Sequence, residues 1–292
     1  MMAEPRQMEL GVFLRSRRAR LNPVELGLPV QPNGRRLAGL RREELALLAG
    51  VSADYYTRLE QGRATNVSTQ VLDAVANALR LDEFERRHLF DLARPADAWP
   101  ETEPKLRTRP RPALRMLVEA LDPVPALLHG DALEVVAINR MAKVLLDDFD
   151  AMPIADRNLA RWIFLDPKAR RTFPDWPEIA AQTVAVLRAT AGRRPRLASL
   201  ATLVDELTTR SEQFEQLWEE YRVCRHTHGT HRFRHETVGS VTLNYQSLML
   251  PAEPELSLII YTADTGSASH EKLRAFAEQI DIGDGAAGAV RS

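Results

Sequence analysis

The chain has 292 residues, room for about two domains that each bury a core, so a peptide-sized scaffold is excluded. Its residues are 45% apolar and 27% charged, with 14 glycines and 18 prolines, a balance that excludes disordered and collagenous chains. The net charge of −1 conceals an early basic stretch: between Leu10 and Arg42 stand Arg15, Arg17, Arg18, Arg20, Arg35, Arg36, Arg41 and Arg42 against the single acid Glu25.

No apolar run approaches the roughly eighteen residues of a membrane span, Leu256–Tyr261 being among the longest, so no membrane partner is expected. Residues 1–20 lack the apolar core of a secretory signal and soon carry arginines. The single cysteine, Cys224, can form no intrachain disulfide, which suits a reducing compartment, and the expected location is cytoplasmic.

In chain order, Leu10, Val12, Phe13, Leu14 and Leu21 are separated by arginines in the manner of one amphipathic helix over Met8–Leu21. Asn22–Gly39 holds three prolines and three glycines and reads as an extended loop carrying Arg35 and Arg36. Helical segments follow at Arg41–Ala49, Ala53–Gln61 and Thr69–Leu81, the last capped by Ser68, and a fifth runs from the cap residue Asp82 to Ala93. Arg94–Pro112 contains five prolines among mixed charges, a linker composition. The expected organisation is an N-terminal all-α domain over 1–94, a linker over 95–112, a second domain over 113–282 and a flexible tail over 283–292.

The second domain opens with a helix near Ala113–Leu121 and a hairpin-like stretch, Pro125–Leu128 and Leu133–Ile138, after which Asn139 caps another helix. Helices continue to Tyr221, interrupted by an aromatic, proline-rich piece. In Val241, Leu243, Tyr245, Ser247 and Met249 every second residue can face one side, the period of a half-buried strand. Leu256–Ala263 is the next strand and Phe233 and His235 lie on a preceding one, so this domain is α+β.

Residues 41–60, RREELALLAGVSADYYTRLE, carry what a two-helix DNA reader needs. Ala46 is small where two helices cross, and Gly50 suits a tight turn. Leu45, Ala49, Val51, Tyr56 and Leu59 have the spacing that packs the helices at the steep angle of a helix-turn-helix, and Ser52 caps the second of them. A major groove admits one such helix, whose N-terminal residues reach base edges. Ala53, Asp54, Tyr55 and Arg58 are therefore the candidates for base readout, with Arg42, Ser52, Thr57 and Arg63 for phosphate contact and Arg35 and Arg36 for the backbone or minor groove. Asp54 has two open roles: accepting from a cytosine amino group, or pairing with an arginine of its own chain.

Residues 7–93, and LAGLRREELALLAGVSADYYTRLEQGR in particular, resemble the Xre-type, lambda-repressor-like helix-turn-helix transcriptional regulators. The loop ending GRRLAGLRREELA resembles a bacterial subgroup whose C-terminal half is an MmyB-like, PAS-like ligand-binding domain. LLHGDALEVVAINRMAKVLL and RFRHETVGSVTLNYQSLMLPAEPELSLIIYTAD are similar to the ends of that domain. The resemblance implies a five-helix DNA-binding domain joined to an α+β PAS-like domain, a homodimer on a palindromic double-stranded operator, and a pocket for a small, hydrophobic, fatty-acyl-like effector. The chain departs from the family at His235-Glu236, where members often carry His-Pro, and at Tyr221, where a histidine is looked for.

Trp162, Phe164, Phe173, Trp176, Trp218 and Tyr221 are the candidates for an apolar pocket, with plain core packing as the alternative. Cys224, His226, His228, His231 and His235 crowd twelve residues. His226 and His228 would share a face of a strand, and His231 or Cys224 could complete a tetrahedral metal site, although Arg222, Arg225, Arg232 and Arg234 oppose a cation there. No catalytic motif is found, no enzyme activity and no cofactor are expected, and no metal is the principal expectation. Three readings stand: an effector-responsive regulator, a regulator whose second domain serves only dimerisation or protein interaction, and a metal sensor.

Overall fold

The computed structural model describes residues 5–28, 39–64, 66–94, 111–221 and 227–289. The chain divides into two compact units, one of Met1–Glu103 with Arg188–Leu197 and Leu217–Arg225, the other of Pro104–Leu187, Ala198–Gln216 and His226–Ser292.

The first unit contains the five expected helices: α1 (Pro5–Arg20), α2 (Arg42–Ala49), α3 (Ala53–Glu60), α4 (Thr69–Ala78) and α5 (Glu83–Ala93). Their starts follow from capping chemistry. Ser52, Ser68 and Asp82 each accept from the backbone N–H three residues on, at 3.1, 3.3 and 2.8 Å, satisfying donors that the helix cannot. Helix α4 ends three residues before the expected Leu81, because Leu79 is its cap and Arg80 turns to φ 52°. In the expected loop after α1, residues Val24–Leu26 form a short 3-10 turn closed by Gly27; Arg35 and Arg36 lie outside the described residues.

Helix α1 packs on α3 and α5, and α2 packs on α3 and α4. Phe13, Leu14, Leu45, Tyr56, Leu59, Val75 and Leu89 are fully enclosed between them, and Tyr221 belongs to the same cluster. Burial of this kind stabilises by roughly 1.5–3 kcal/mol per large apolar side chain. Where α1 crosses the end of α3, Gly11 lies against the carbonyl of Glu60 so closely that a Cβ would overlap it.

The remaining elements are α6 (Pro112–Ala120), β1 (Ala126–His129), β2 (Val135–Ile138), α7 (Arg140–Leu145), α8 (Leu159–Leu165), α9 (Pro167–Thr172), α10 (Trp176–Arg193), α11 (Ala198–Arg210), α12 (Glu212–Glu219), β3 (His228–His235), β4 (Gly239–Leu250), β5 (Glu253–Thr262) and α13 (Ala268–Ala289). The second unit is α+β; the alternation in β4 holds for Val241, Leu243 and Tyr245, which are buried, and lapses at Ser247, half-buried, and Met249, exposed beside the register shift that ends the strand. Its sheet is antiparallel throughout, in the order β2-β1-β5-β4-β3. Helix α6 packs on β1 and β2, α9 on β3 and α13 on β4. Buried Asn139 caps α7 by accepting from Ala142 N–H, and it also accepts from Ala126 N–H and donates to the Val124 carbonyl. One side chain thus ties the helix to the start of β1. Helix α13 continues to Ala289, through the small-residue stretch from Gly283 that composition reads as a tail.

Candidate nucleic-acid interface and ligand-binding domain

Helix α2 ends on Gly50 at φ 65°, whose N–H reaches back to the carbonyls of Ala46 and Leu47. The N–H of Val51 bonds the Ala46 carbonyl at 3.0 Å, so three residues separate α2 from α3. Nothing lies within 4 Å of the place a Gly50 side chain would take. Glycine is required there by the backbone angle, not by crowding.

Helix α3 has two faces. Tyr56, Leu59 and Glu60 are buried, while Ser52, Ala53, Asp54 and Arg58 are exposed and Tyr55 and Thr57 half-buried. The structure therefore brings the six α3 candidates together on an accessible first turn and a half. Arg58 pairs with Asp54 at 3.2 Å and its guanidinium lies 5.8 Å from the Tyr55 ring centre. Of the two open roles for Asp54, pairing with an arginine of its own chain is the one present here. Thr57 donates to the Ala53 carbonyl at 2.8 Å, and Arg63 is exposed just beyond the helix, its N–H on the Arg58 carbonyl.

Arg42 is less free than its place in the sequence suggests. Its Nε and Nη2 lie 3.2 and 3.1 Å from Oε1 of Glu60, a carboxylate with no exposed surface. Arg18 grips the same carboxylate through two bonds of 3.0 and 2.8 Å. Burial alone would raise the Glu60 carboxyl, but the bond from Arg18 and the charges of Arg18 and Arg42 outweigh it and hold it below the usual range. This clamp joins α1, α2 and the end of α3. The sequence reading missed Glu60 and Arg18; the signal was the spacing, since Glu60 stands one turn after buried Tyr56.

In the second unit the aromatic candidates separate into sets. Trp162 and Phe173 are 5.9 Å apart, and from them a continuous chain of rings runs through Phe233, 5.1 Å from Phe173, to Tyr261, 5.3 Å further on. Phe149 extends it at the other end. His231 stacks on Tyr245 at 4.2 Å and meets the Gln182 side chain at 3.1 Å. Phe164 and Trp176 form a second set with Phe214. Trp218 and Tyr221 belong to the first unit, flanking the Arg188 guanidinium at 3.8 and 3.9 Å, so they do not join the other four. Phe233, Tyr245 and Tyr261 were discoverable from the inward positions of their alternating strands.

The histidine-rich stretch is mostly strand. His231 faces inward with Phe233, and His228, three residues before His231, lies on the exposed face, so these two do not converge on one ion. His226 and Cys224 lie outside the described residues, and among the described residues no group of three His, Cys, Asp or Glu side chains could hold a metal. No helix among them is long and apolar enough to cross a membrane.

A capped helix offered outward by a tight turn in one unit, and an α+β fold with an aromatic interior in the other, define a class: helix-turn-helix regulators with a separate sensing domain. Residues 9–89 match the family model described as a helix-turn-helix domain, and residues 110–276, over half the chain, match that described as the MmyB-like transcription regulator ligand binding domain. The chain belongs to the MmyB-like transcription regulators and is a DNA-binding transcriptional regulator with a ligand-binding domain. Both families are regulatory domains rather than enzymes. No curated protein matches it.

Proposed function

We propose that the protein binds a palindromic operator as a homodimer in the cytoplasm, and that a small hydrophobic, fatty-acyl-like molecule in the second unit alters that binding. The observation that carries the DNA half is the accessible polar first turn of α3, held by the Ser52 cap at one end and the Glu60 clamp at the other. Ala53, Asp54, Tyr55 and Arg58 read bases, while Arg42, Ser52, Thr57 and Arg63 meet phosphates and Arg35 and Arg36 reach the backbone or minor groove. The Arg58–Asp54 pair is exposed on both sides, and such pairs contribute little, so Arg58 can exchange Asp54 for a guanine edge at small cost. The effector half is supported by the run of rings between the helices and the sheet, which offers an apolar body with His231, Tyr245 and Gln182 at one border. A ligand alters operator binding only by favouring one of two states, so the binding assay must include it.

Selection of binding sites from random duplexes tests this reading. Wild-type protein should enrich an inverted repeat. Arg58→Ala should lose preference at one position of each half-site, by about 1–3 kcal/mol, with long-chain acyl compounds shifting wild-type affinity. Unchanged affinity and preference in Arg58→Ala would remove α3 as the reader.

A further inference from the structure

The carboxylate of Glu60 gathers more positive charge than it cancels. Arg18 turns all three of its nitrogens inward: Nε and Nη2 donate to the two Glu60 oxygens at 3.0 and 2.8 Å, and Nη1 donates to the Leu40 carbonyl. That pair is complete. Arg42 donates through Nε to Oε1 of Glu60 at 3.2 Å, and Nε of Arg15 stands 3.8 Å from the same oxygen, beyond hydrogen-bond reach. Three guanidinium groups therefore surround one carboxylate, an excess of two positive charges. The excess is carried by the two members that face solvent, Arg15, 58% exposed, and Arg42, 44% exposed.

Arg15 makes no hydrogen bond among the described residues, and an exposed pair at its distance from Glu60 contributes little to folding. Its position is nevertheless fixed. It lies on α1 one turn beyond Gly11, whose backbone meets the Glu60 carbonyl, so the contact of α1 with the end of α3 sets where Arg15 stands relative to Arg42, the first residue of α2. Two exposed guanidinium groups flanking one oxygen atom present converging donors of the same charge, the arrangement that takes an oxyanion, and the planar fork of arginine matches a phosphate. We infer that Arg15 is a further phosphate contact of the DNA-binding unit, gripping the operator backbone together with Arg42, while Glu60 is a positioning residue that holds the Arg42 guanidinium ready for it.

The inference rests on the reading of α3 as the base reader with Arg42 at the backbone, and the test separates the two. Full-length protein is titrated, over a range of salt, with the inverted-repeat duplex enriched by selection and with a duplex of random sequence. Arg15→Ala should make the slope of log affinity against log salt shallower by about 0.9 for each bound protomer on both duplexes, with the order of preferred bases unchanged. Arg15→Lys should keep the wild-type slope because it keeps the charge, and urea unfolding should not distinguish Arg15→Ala from wild type. Duplexes with single uncharged methylphosphonates give a second readout: at one backbone position in each half-site wild type should lose affinity and Arg15→Ala should not. An unchanged slope in Arg15→Ala, or losses that add to those of every methylphosphonate, overturns the contact, and Arg58→Ala still losing base preference leaves α3 standing. A slope lost equally in Arg15→Lys, or lost along with unfolding stability, gives Arg15 a structural role and also overturns it. Wild-type protein that binds neither duplex overturns both readings.

Discussion

Glu60 is a carboxylate without solvent, tolerated because three guanidinium groups meet it: Arg18, itself only 15% exposed, Arg42, which is 44% exposed, and more distantly the exposed Arg15 at 3.8 Å. Losing one member of a buried ionic group leaves its partners uncompensated. Glu60→Gln should therefore lower unfolding free energy by about 3 kcal/mol in urea titration at neutral pH. The pH dependence has a definite sign. The folded carboxyl lies below the usual 4.5, so the stabilisation is complete above that value and fades as pH falls through the folded one. The difference between wild type and Glu60→Gln should shrink in that acid window and stay constant above it. Arg17 shows the opposite balance: burial draws its guanidinium down to about 10, and Glu85 at 3.0 Å recovers only part.

Among elements, α1 and the end of α3 meet closely, since Gly11 lies against the Glu60 carbonyl and Gly62 against that of Gln7, backbone against backbone. Gly11→Ala should push α1 from the end of α3, costing about 1–3 kcal/mol in thermal unfolding and weakening operator binding through the displaced reader helix. What was legible here depended on range. The starts of α3, α4 and α5 could be read from Ser52, Ser68 and Asp82, because a cap and its helix are neighbours in sequence. The exposure of α3 was legible from spacing, and β4 from alternation, whereas β1 and β2 are buried throughout and show none. Gly11 gave no signal, because its need for smallness is set by a carbonyl forty-nine positions away. The end of α4 was misplaced since the arrest at Arg80 is a backbone turn without glycine or proline to announce it.

At the scale of the molecule, the DNA-binding unit is not one run of sequence. Tyr221, 4% exposed and held at φ 51°, lies 6.1 Å from the Phe13 ring and 6.3 Å from His88, with Arg188 against its face. Local pattern assigns it to a pocket, because nothing near residue 221 indicates a partner at residue 13. Tyr221→Ala should destabilise the first unit by about 3–5 kcal/mol, followed as earlier amide hydrogen exchange in α1 and α5, with the sheet of the second unit unaffected. The two late segments, Arg188–Leu197 and Leu217–Arg225, have a consequence for synthesis. A ribosome that has released the five N-terminal helices has yet to deliver the ring that closes over Phe13, and more than a hundred residues must emerge first. A chain ending before Leu217 should therefore show faster amide exchange in α1 and α5 than the full-length protein, because the wall that Tyr221 supplies is missing.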